Sequence, residues 1–283
     1  MRYTTRVEGG IRYIDTGPRG TSGTGFLLIH GLGGSLEQWI PVIGLLSPTA
    51  RVIAIDVPGF GHSRTRRGDF DLTAAVERIS GVLDALHVDR CVVVSHSISC
   101  VVAAGLAAAR PDAVRSLVLV SGALLRASEI AQRPSRALRH PKLGLVVLTQ
   151  FLAGVVPVPR FLLNALASSA LLRTVTLWPF VAHPGRIPTE HLVEALTGSG
   201  SLAVLRILLT ANAIDYHRLL SAVEQPVTLV IGDRDRLIDA DDVARLRGMM
   251  RVVRVSVIRG CGHWPWLEQP SQLAARLTSS ETS

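Results

Sequence analysis

The chain is poor in several features on which other protein classes depend. Only 5% of its 283 residues are aromatic, it has three cysteines, and Lys142 is its single lysine. The cysteines, Cys91, Cys100 and Cys261, are odd in number and lack paired spacing, which excludes a disulfide framework and suits a reducing compartment. There is no polybasic block, no basic stretch interleaved with aromatics and no zinc-finger spacing. The formal charge of +8 therefore does not point to nucleic acid. Scattered arginine still leaves room for a basic face toward anionic lipid or an acidic carrier protein. The longest apolar run, 143–156, stops before Pro157 and Pro159 and is shorter than the roughly 20 residues of a spanning helix. The opening MRYTTRVEGG has no apolar signal core, so the expected location is the cytoplasm.

Apolar residues make up 48% of the chain, ample for a buried core, and they are mostly Ala, Val and Leu. That mixture fits helices covering both faces of a parallel sheet. Short branched runs at 25–30, 51–57, 91–96, 116–122, 227–233 and 253–260 read as strands. Helical patterns fill 36–46, 72–87, 98–110, 209–222, 239–249 and 269–278, so strand and helix alternate as in an α/β fold with a mainly parallel sheet. RYTTRV and IRYIDTG, split by Gly9 and Gly10, predict an edge hairpin, and the closing TSSETS predicts a frayed tail. One interval breaks the rhythm. Residues 124–205 contain helix-like segments punctuated by seven prolines, with seven arginines between leucine-rich stretches. They predict an inserted helical cap on a core formed by 1–123 and 206–283.

In open parallel sheets ligands gather at the carboxyl ends of strands. The residues there form a set: HGLGGS at 30–35, DVPGFGHS at 56–63, SHSIS at 95–99, GDRD at 232–235 and GCGHW at 260–264. A serine exposed on a sharp strand-to-helix turn needs small residues two before and two after it. Of the three serines in SHSIS only Ser97 has both. A serine hydroxyl needs an adjacent base, and the base needs a group that orients it and stabilises its charged form. His263 and Asp235 are the candidates, Asp235 being preferred to Asp233 and His263 to His30, His62 and His96. Backbone N–H groups of Leu32 and Ile98 are the candidate donors to an oxyanion. As phosphate loops the glycine motifs fail: HGLGGS lacks a following Gly-Lys-Ser/Thr and GFGHS lacks a third glycine. No cofactor or metal is expected.

Taken together, these motifs and their order resemble the α/β-hydrolase fold superfamily, in its cap-bearing esterase and C–C hydrolase branch. The resemblance covers nearly the whole chain. It implies a triad of Ser97, Asp235 and His263, with Leu32 and Ile98 in the oxyanion hole, and a structural turn at Asp56, Gly59, Gly61 and Ser63. It departs at the elbow, where serine replaces both flanking glycines; a serine two after the nucleophile also occurs in members resembling small-molecule receptors. Cap aromatics Trp178 and Phe180, with Trp264, are expected to roof an apolar pocket for a small lipophilic substrate. The expected reaction is hydrolysis of a lipophilic ester, lactone or thioester through an acyl-enzyme. A lyase or cyclase on a polyketide-like substrate and a slow receptor-type hydrolase stay open as alternatives.

Overall fold

Eight strands alternate with helices in the computed structural model, which describes all residues except 1–2, 18–24, 64–69, 123–124, 198, 211–215, 239 and 282–283. The strands are β1 (Thr5–Glu8), β2 (Ile11–Asp15), β3 (Gly25–Ile29), β4 (Val52–Ile55), β5 (Cys91–His96), β6 (Val114–Val120), β7 (Val227–Gly232) and β8 (Val252–Ile258). They form one sheet in the order β1-β2-β4-β3-β5-β6-β7-β8. β1 and β2 pair antiparallel, as do β2 and β4, and every later pair is parallel. Gly9 and Gly10 turn the edge hairpin with φ of +55° and +79°, both left-handed as a two-residue hairpin loop requires.

The apolar strand runs look continuous in sequence because both faces are covered. Successive residues alternate between two cores: Leu27 and Ile29 with Val93, Leu117 and Leu119 on one side, Phe26 and Leu28 with Val94, Val118 and Val120 on the other. Helices Leu72–Ala85 and Cys100–Ala109 cover the first face; Ile40–Leu46 and Pro270–Glu281 cover the second. From β3 the chain crosses to β4 on one side, and β5 lies on the other side of β3. The crevice outside the ends of β3 and β5 is therefore the switch point of the sheet, and HGLGGS and SHSIS line it.

Some boundaries differ from the sequence expectation. The helix expected at 36–46 opens as a 3-10 turn, Leu36–Trp39, before Ile40–Leu46 with Pro41 in its first turn. β6 ends at Val120 because Ser121 takes φ +51° and turns the chain out of the sheet. The helix expected at 209–222 falls partly outside the described residues, and Ala203–Thr210 and Tyr216–Ser221 stand on either side of the gap. The expected frayed tail is helical through Glu281, its hydroxyls at Thr278 and Ser279 returning to the Ala274 and Arg276 carbonyls. Residues 282–283 lie outside the described residues.

Between β6 and β7 the described residues hold helices and no strand, from Leu125–Gln132 to Tyr216–Ser221, and Ala203–Thr210 runs across position 205. Phe180, Leu192 and Val193 of this insertion join the second core, while Ala203 and Val204 join the first.

One carboxylate ties the rim of the crevice together. Asp56 is fully buried after β4; its Oδ1 accepts from the Leu36 N–H at 2.7 Å, and its Oδ2 accepts from the His62 N–H at 2.8 Å and from Arg12 at 3.3 Å. Arg12, on β2, also reaches Glu37 at 2.5 Å. A Cβ on Gly61, where φ is +53°, would fall 2.4 Å from the Asp56 carboxyl carbon, so only glycine fits the turn. Burial disfavours the Glu37 carboxylate, but the Arg12 hydrogen bond and charge outweigh it and hold its pKa below the usual range. Asp56→Ala strands two N–H groups and removes one of the two carboxylates that Arg12 binds. We expect it to cost about 3 kcal/mol, read as a lowered urea midpoint with an unchanged slope.

Candidate active site

β5 delivers Ser97 to the switch point. Its last residue, His96, is still extended, and the next, Ser97, takes φ +57°, after which the 3-10 turn Ser97–Ser99 leads into helix Cys100–Ala109. The left-handed residue is the central serine itself. Ser95 lies within β5 and Ser99 has an ordinary φ of −68°, so neither flanking serine needs glycine's backbone freedom. The Ser95 hydroxyl is spent on Cys100, donating to its sulfur at 3.2 Å. Burial pushes the Cys100 thiol up to about 12, leaving it a neutral packing group.

His263 arrives from the turn after β8 and is fully buried. Its Nε2 lies 2.9 Å from Ser97 Oγ and its Nδ1 lies 2.8 Å from Asp235 Oδ2. An ionised carboxylate can only accept, so the Nδ1 carries the proton and the Nε2 lone pair accepts from the Ser97 hydroxyl. The other Asp235 oxygen accepts from the Leu237 N–H at 2.9 Å, which fixes the carboxylate plane. Asp233 is turned elsewhere, accepting from the Cys261 N–H at 3.2 Å.

Three neighbours hold His263 that motif reading did not single out for this task. The His263 N–H donates to the Phe180 carbonyl at 2.6 Å, tying the residue to the insertion. Glu268 accepts from the N–H groups of Gly262 at 2.7 Å, Ala182 at 2.7 Å and His183 at 3.3 Å, bridging the His263 turn to the insertion. Burial raises the Glu268 pKa above the ordinary carboxylate value despite those donors. His96 points away from Ser97, as expected, and its Nε2 donates to the His263 carbonyl at 2.9 Å. Burial first, and the nearby His263 second, drive its pKa well down, so it is neutral. The sequence signal for Glu268 was its place five residues after His263 in GHWPWLEQP; nothing marked its partners Ala182 and His183, which lie more than 80 residues away.

The HGLGGS loop passes directly beside the elbow. A Cβ built on Gly31 would lie 2.5 Å from His96 Nδ1 and 3.3 Å from the Ser97 Cβ, so glycine is what lets this strand end approach. The next N–H, that of Leu32, donates to no acceptor among the described residues, and Ile98 follows Ser97 at the start of its helix. His30 sets the loop: its Nε2 accepts from the Val57 N–H at 2.9 Å, so its Nδ1 carries the proton and donates to the Gly31 carbonyl at 2.8 Å. The insertion clamps the far side. The Gly200 N–H donates to the Gly33 carbonyl at 2.7 Å, the Ser201 N–H to the Gly154 carbonyl at 2.8 Å, and Ser35 Oγ to the Thr197 carbonyl at 2.9 Å. A Cβ at Gly33, where φ is +66°, would meet the Gly154 Cα at 2.5 Å.

Beside Ser97 lies a cavity of about 30 Å³ lined by Ile98, Val101, Leu119, Leu125, Leu220 and Leu246, with the Ser128 side chain as a polar neighbour. The three aromatic candidates are not in that lining. Phe180 and Trp264 are buried and stack on each other with centroids 5.1 Å apart, and Trp264 continues onto Trp266 at 5.5 Å. Trp178 is half exposed beneath the Arg236 guanidinium, 4.9 Å from its ring centroid. All three therefore stand at the seam between insertion and body, where they pack against each other or bind an arginine face.

A parallel sheet with a serine on a left-handed turn after its central strand, hydrogen-bonded to a histidine and an aspartate from later strand ends, defines an α/β hydrolase. The family model "Alpha/beta hydrolase family" matches residues 26–276, and the chain belongs to that family. Among curated proteins, the chain is 26% identical over 283 residues to 2-hydroxy-6-oxononadienedioate/2-hydroxy-6-oxononatrienedioate hydrolase of Burkholderia vietnamiensis, covering 93% of this chain and 89% of that one. It is 23% identical over 261 residues to monoacylglycerol lipase abhd6-A of Xenopus laevis, covering 89% and 73%. Other curated relatives match through shorter stretches, and the chain spans less than half of their length. Among solved structures, E-2-(acetamidomethylene)succinate hydrolase superposes with a TM-score of 0.75 at 18% identity, covering all of both chains.

Glu268→Ala leaves three N–H groups without their acceptor at the seam that positions His263. The expected result is a loss of about 1–3 kcal/mol in stability, together with a fall in hydrolytic turnover larger than any change in KM.

Proposed function

We propose that the protein is a serine hydrolase of lipophilic carboxylic esters, lactones or thioesters. The observation that carries this reading is the chain of short contacts from Asp235 through His263 to a Ser97 held on a left-handed turn. In the first half-reaction His263 Nε2 takes the Ser97 proton as Oγ attacks the substrate carbonyl carbon. The carbonyl oxygen becomes an oxyanion held by the Leu32 and Ile98 N–H groups. His263 then returns the proton to the leaving oxygen or sulfur, leaving the acyl group on Ser97. In the second half-reaction water gives its proton to His263, attacks the acyl carbon and releases the acid, and Ser97 Oγ recovers its proton. Asp235 holds the imidazole in the tautomer this requires and stabilises its charged form.

The substrate class follows from the lining. The side chains beside Ser97 are mostly aliphatic and no charged side chain is among the described lining residues, so the lining suits an apolar acyl group and gives a carboxylate no counter-ion; at about 30 Å³ the cavity has to widen to admit more than a small group. The monoacylglycerol lipase likeness supports the same choice. The dioate named in the bacterial relative carries negative charge that this lining does not receive. In this reading residues 124–205 form the cap, and Trp178, Phe180 and Trp264 shape its seam rather than the acyl pocket. Free, buried cysteines support a reducing compartment such as the cytoplasm.

Ser97→Ala is expected to lower kcat/KM on p-nitrophenyl esters by at least about 10³-fold with the fold retained; undiminished turnover would remove Ser97 from the mechanism. Asp235→Asn keeps the hydrogen-bonding shape but favours the wrong tautomer, and we expect a loss on the order of 10⁴-fold in kcat. A higher kcat/KM for an uncharged acyl group than for one of similar length ending in a carboxylate, measured on the same leaving group, checks the apolar lining.

A further inference from the structure

Thirteen of the sixteen large apolar side chains that stand exposed among the described residues lie between Leu138 and Leu205. They are concentrated on three successive helices, Pro141–Val155, Arg160–Ser168 and Ala170–Leu177. On the first, Leu145, Leu148 and Leu152 are 55–60% exposed. At about 3.6 residues per turn they share an arc of about 60°. The buried Val146, Val147 and Gly154 face the opposite way. On the second, Phe161 is 69% exposed while Leu163 and Ala167 pack inward. On the third, Leu171 and Val175 are exposed one turn apart while Leu177 is buried. The first and third helices thus carry two apolar faces of which the fold uses only one, and the second adds an exposed Phe161 and Leu162 at its start. Exposed apolar surface on this scale marks an interaction site rather than chance.

The charge around these stripes identifies the partner. No acidic residue occurs between Glu129 and Glu190. Within that interval Arg133, Arg139, Lys142, Arg160 and Arg186 are exposed and make no ion pair with a carboxylate among the described residues. Lys142 lies one turn before Leu145, and Arg160 adjoins Phe161. Leucine and phenylalanine flanked by cations, in a stretch whose own sequence carries no acid, is the composition of a helix that lies in a membrane interface, its apolar stripe among acyl chains and its cations among headgroup phosphates; Arg160 also lines a cleft with Glu190 and Glu194, so Arg139 and Lys142 carry most of the charge argument. Among the described residues no helix is long and apolar enough to cross a membrane, so the contact is peripheral.

We propose that helices Pro141–Val155, Arg160–Ser168 and Ala170–Leu177 dock the protein onto an anionic phospholipid surface. This inference goes beyond the hydrolytic reading and does not depend on it, because binding is read without turnover. The same element connects to the site through its other side, where Gly154 packs against Gly33 of the HGLGGS loop. A lipid-bound protein would therefore receive lipophilic substrate next to the loop beside Ser97.

The test is co-sedimentation of the full chain with vesicles of phosphatidylcholine, with and without phosphatidylglycerol. The expected result is binding to the anionic vesicles that falls with added salt, and weak binding to the neutral ones. Leu145→Ser/Leu148→Ser/Leu152→Ser and Arg139→Glu/Lys142→Glu/Arg160→Glu should each lower partitioning by at least about tenfold. Melting temperature and hydrolysis of a short soluble ester should stay at wild-type level. Should either triple variant fail to fold, Leu148→Ser and Lys142→Glu singly serve the same purpose with a smaller expected loss. Equal binding of wild type and variants would overturn the proposal, as would equal binding to neutral and anionic vesicles. So would no vesicle binding, whether the face instead captures an acidic carrier protein or a second copy of the chain.

Discussion

The geometry of the site depends on one serine held at φ +57° between a buried strand and a buried helix. Such a backbone costs on the order of 1–3 kcal/mol for a non-glycine residue and persists only where its surroundings leave no alternative. Here β5 is hydrogen-bonded on both sides, to β3 and β6, and helix Cys100–Ala109 is buried along most of its length. Neither can move to relax the turn. Space for the crossing comes from glycines on neighbouring strand ends: a Cβ at Gly122 would lie 2.2 Å from Cys100 Sγ, and one at Gly31 would crowd His96 and Ser97. With that space cleared from outside, the elbow tolerates Ser95 and Ser99 where small residues are required, and Ser95 gains a hydrogen bond to Cys100.

The strand ends, the order of the motifs and the Ser97, Asp235 and His263 set could be read from sequence because each rests on local rules. An apolar run ends at a polar loop, and in a parallel sheet those loops meet at one edge. The hairpin followed from two glycines that both take left-handed backbone. What could not be read depends on contacts between distant segments. Glu268 gathers N–H groups from 182, 183 and 262, and no spacing in the sequence announces that convergence. The aromatic candidates show the same limit. Trp178, Phe180 and Trp264 were expected to roof a pocket because they are large and apolar, but their neighbours decide their place, and those are a stacked ring pair and an arginine.

The insertion is joined to the site at two points by backbone hydrogen bonds. One clamps the HGLGGS loop through Gly200 and Gly33; the other anchors His263 through the Phe180 carbonyl. Each point touches a different part of the Ser97 surroundings, one the loop and the other His263. This coupling gives the seam residues an influence on chemistry without contact with the reacting atoms. The aromatic stack and Glu268 lie along the same seam, beside the turn whose His263 Nε2 stands 2.9 Å from Ser97 Oγ.

The central claim is that, of three serines spaced two apart, only Ser97 is activated. Intact-mass and peptide analysis after treatment with a fluorophosphonate ester tests it directly, because only a hydroxyl with a base in hydrogen-bond reach reacts readily. The account predicts a single adduct located on Ser97 and lost in His263→Ala. An adduct on Ser95 or Ser99, or labelling that persists without His263, would contradict it.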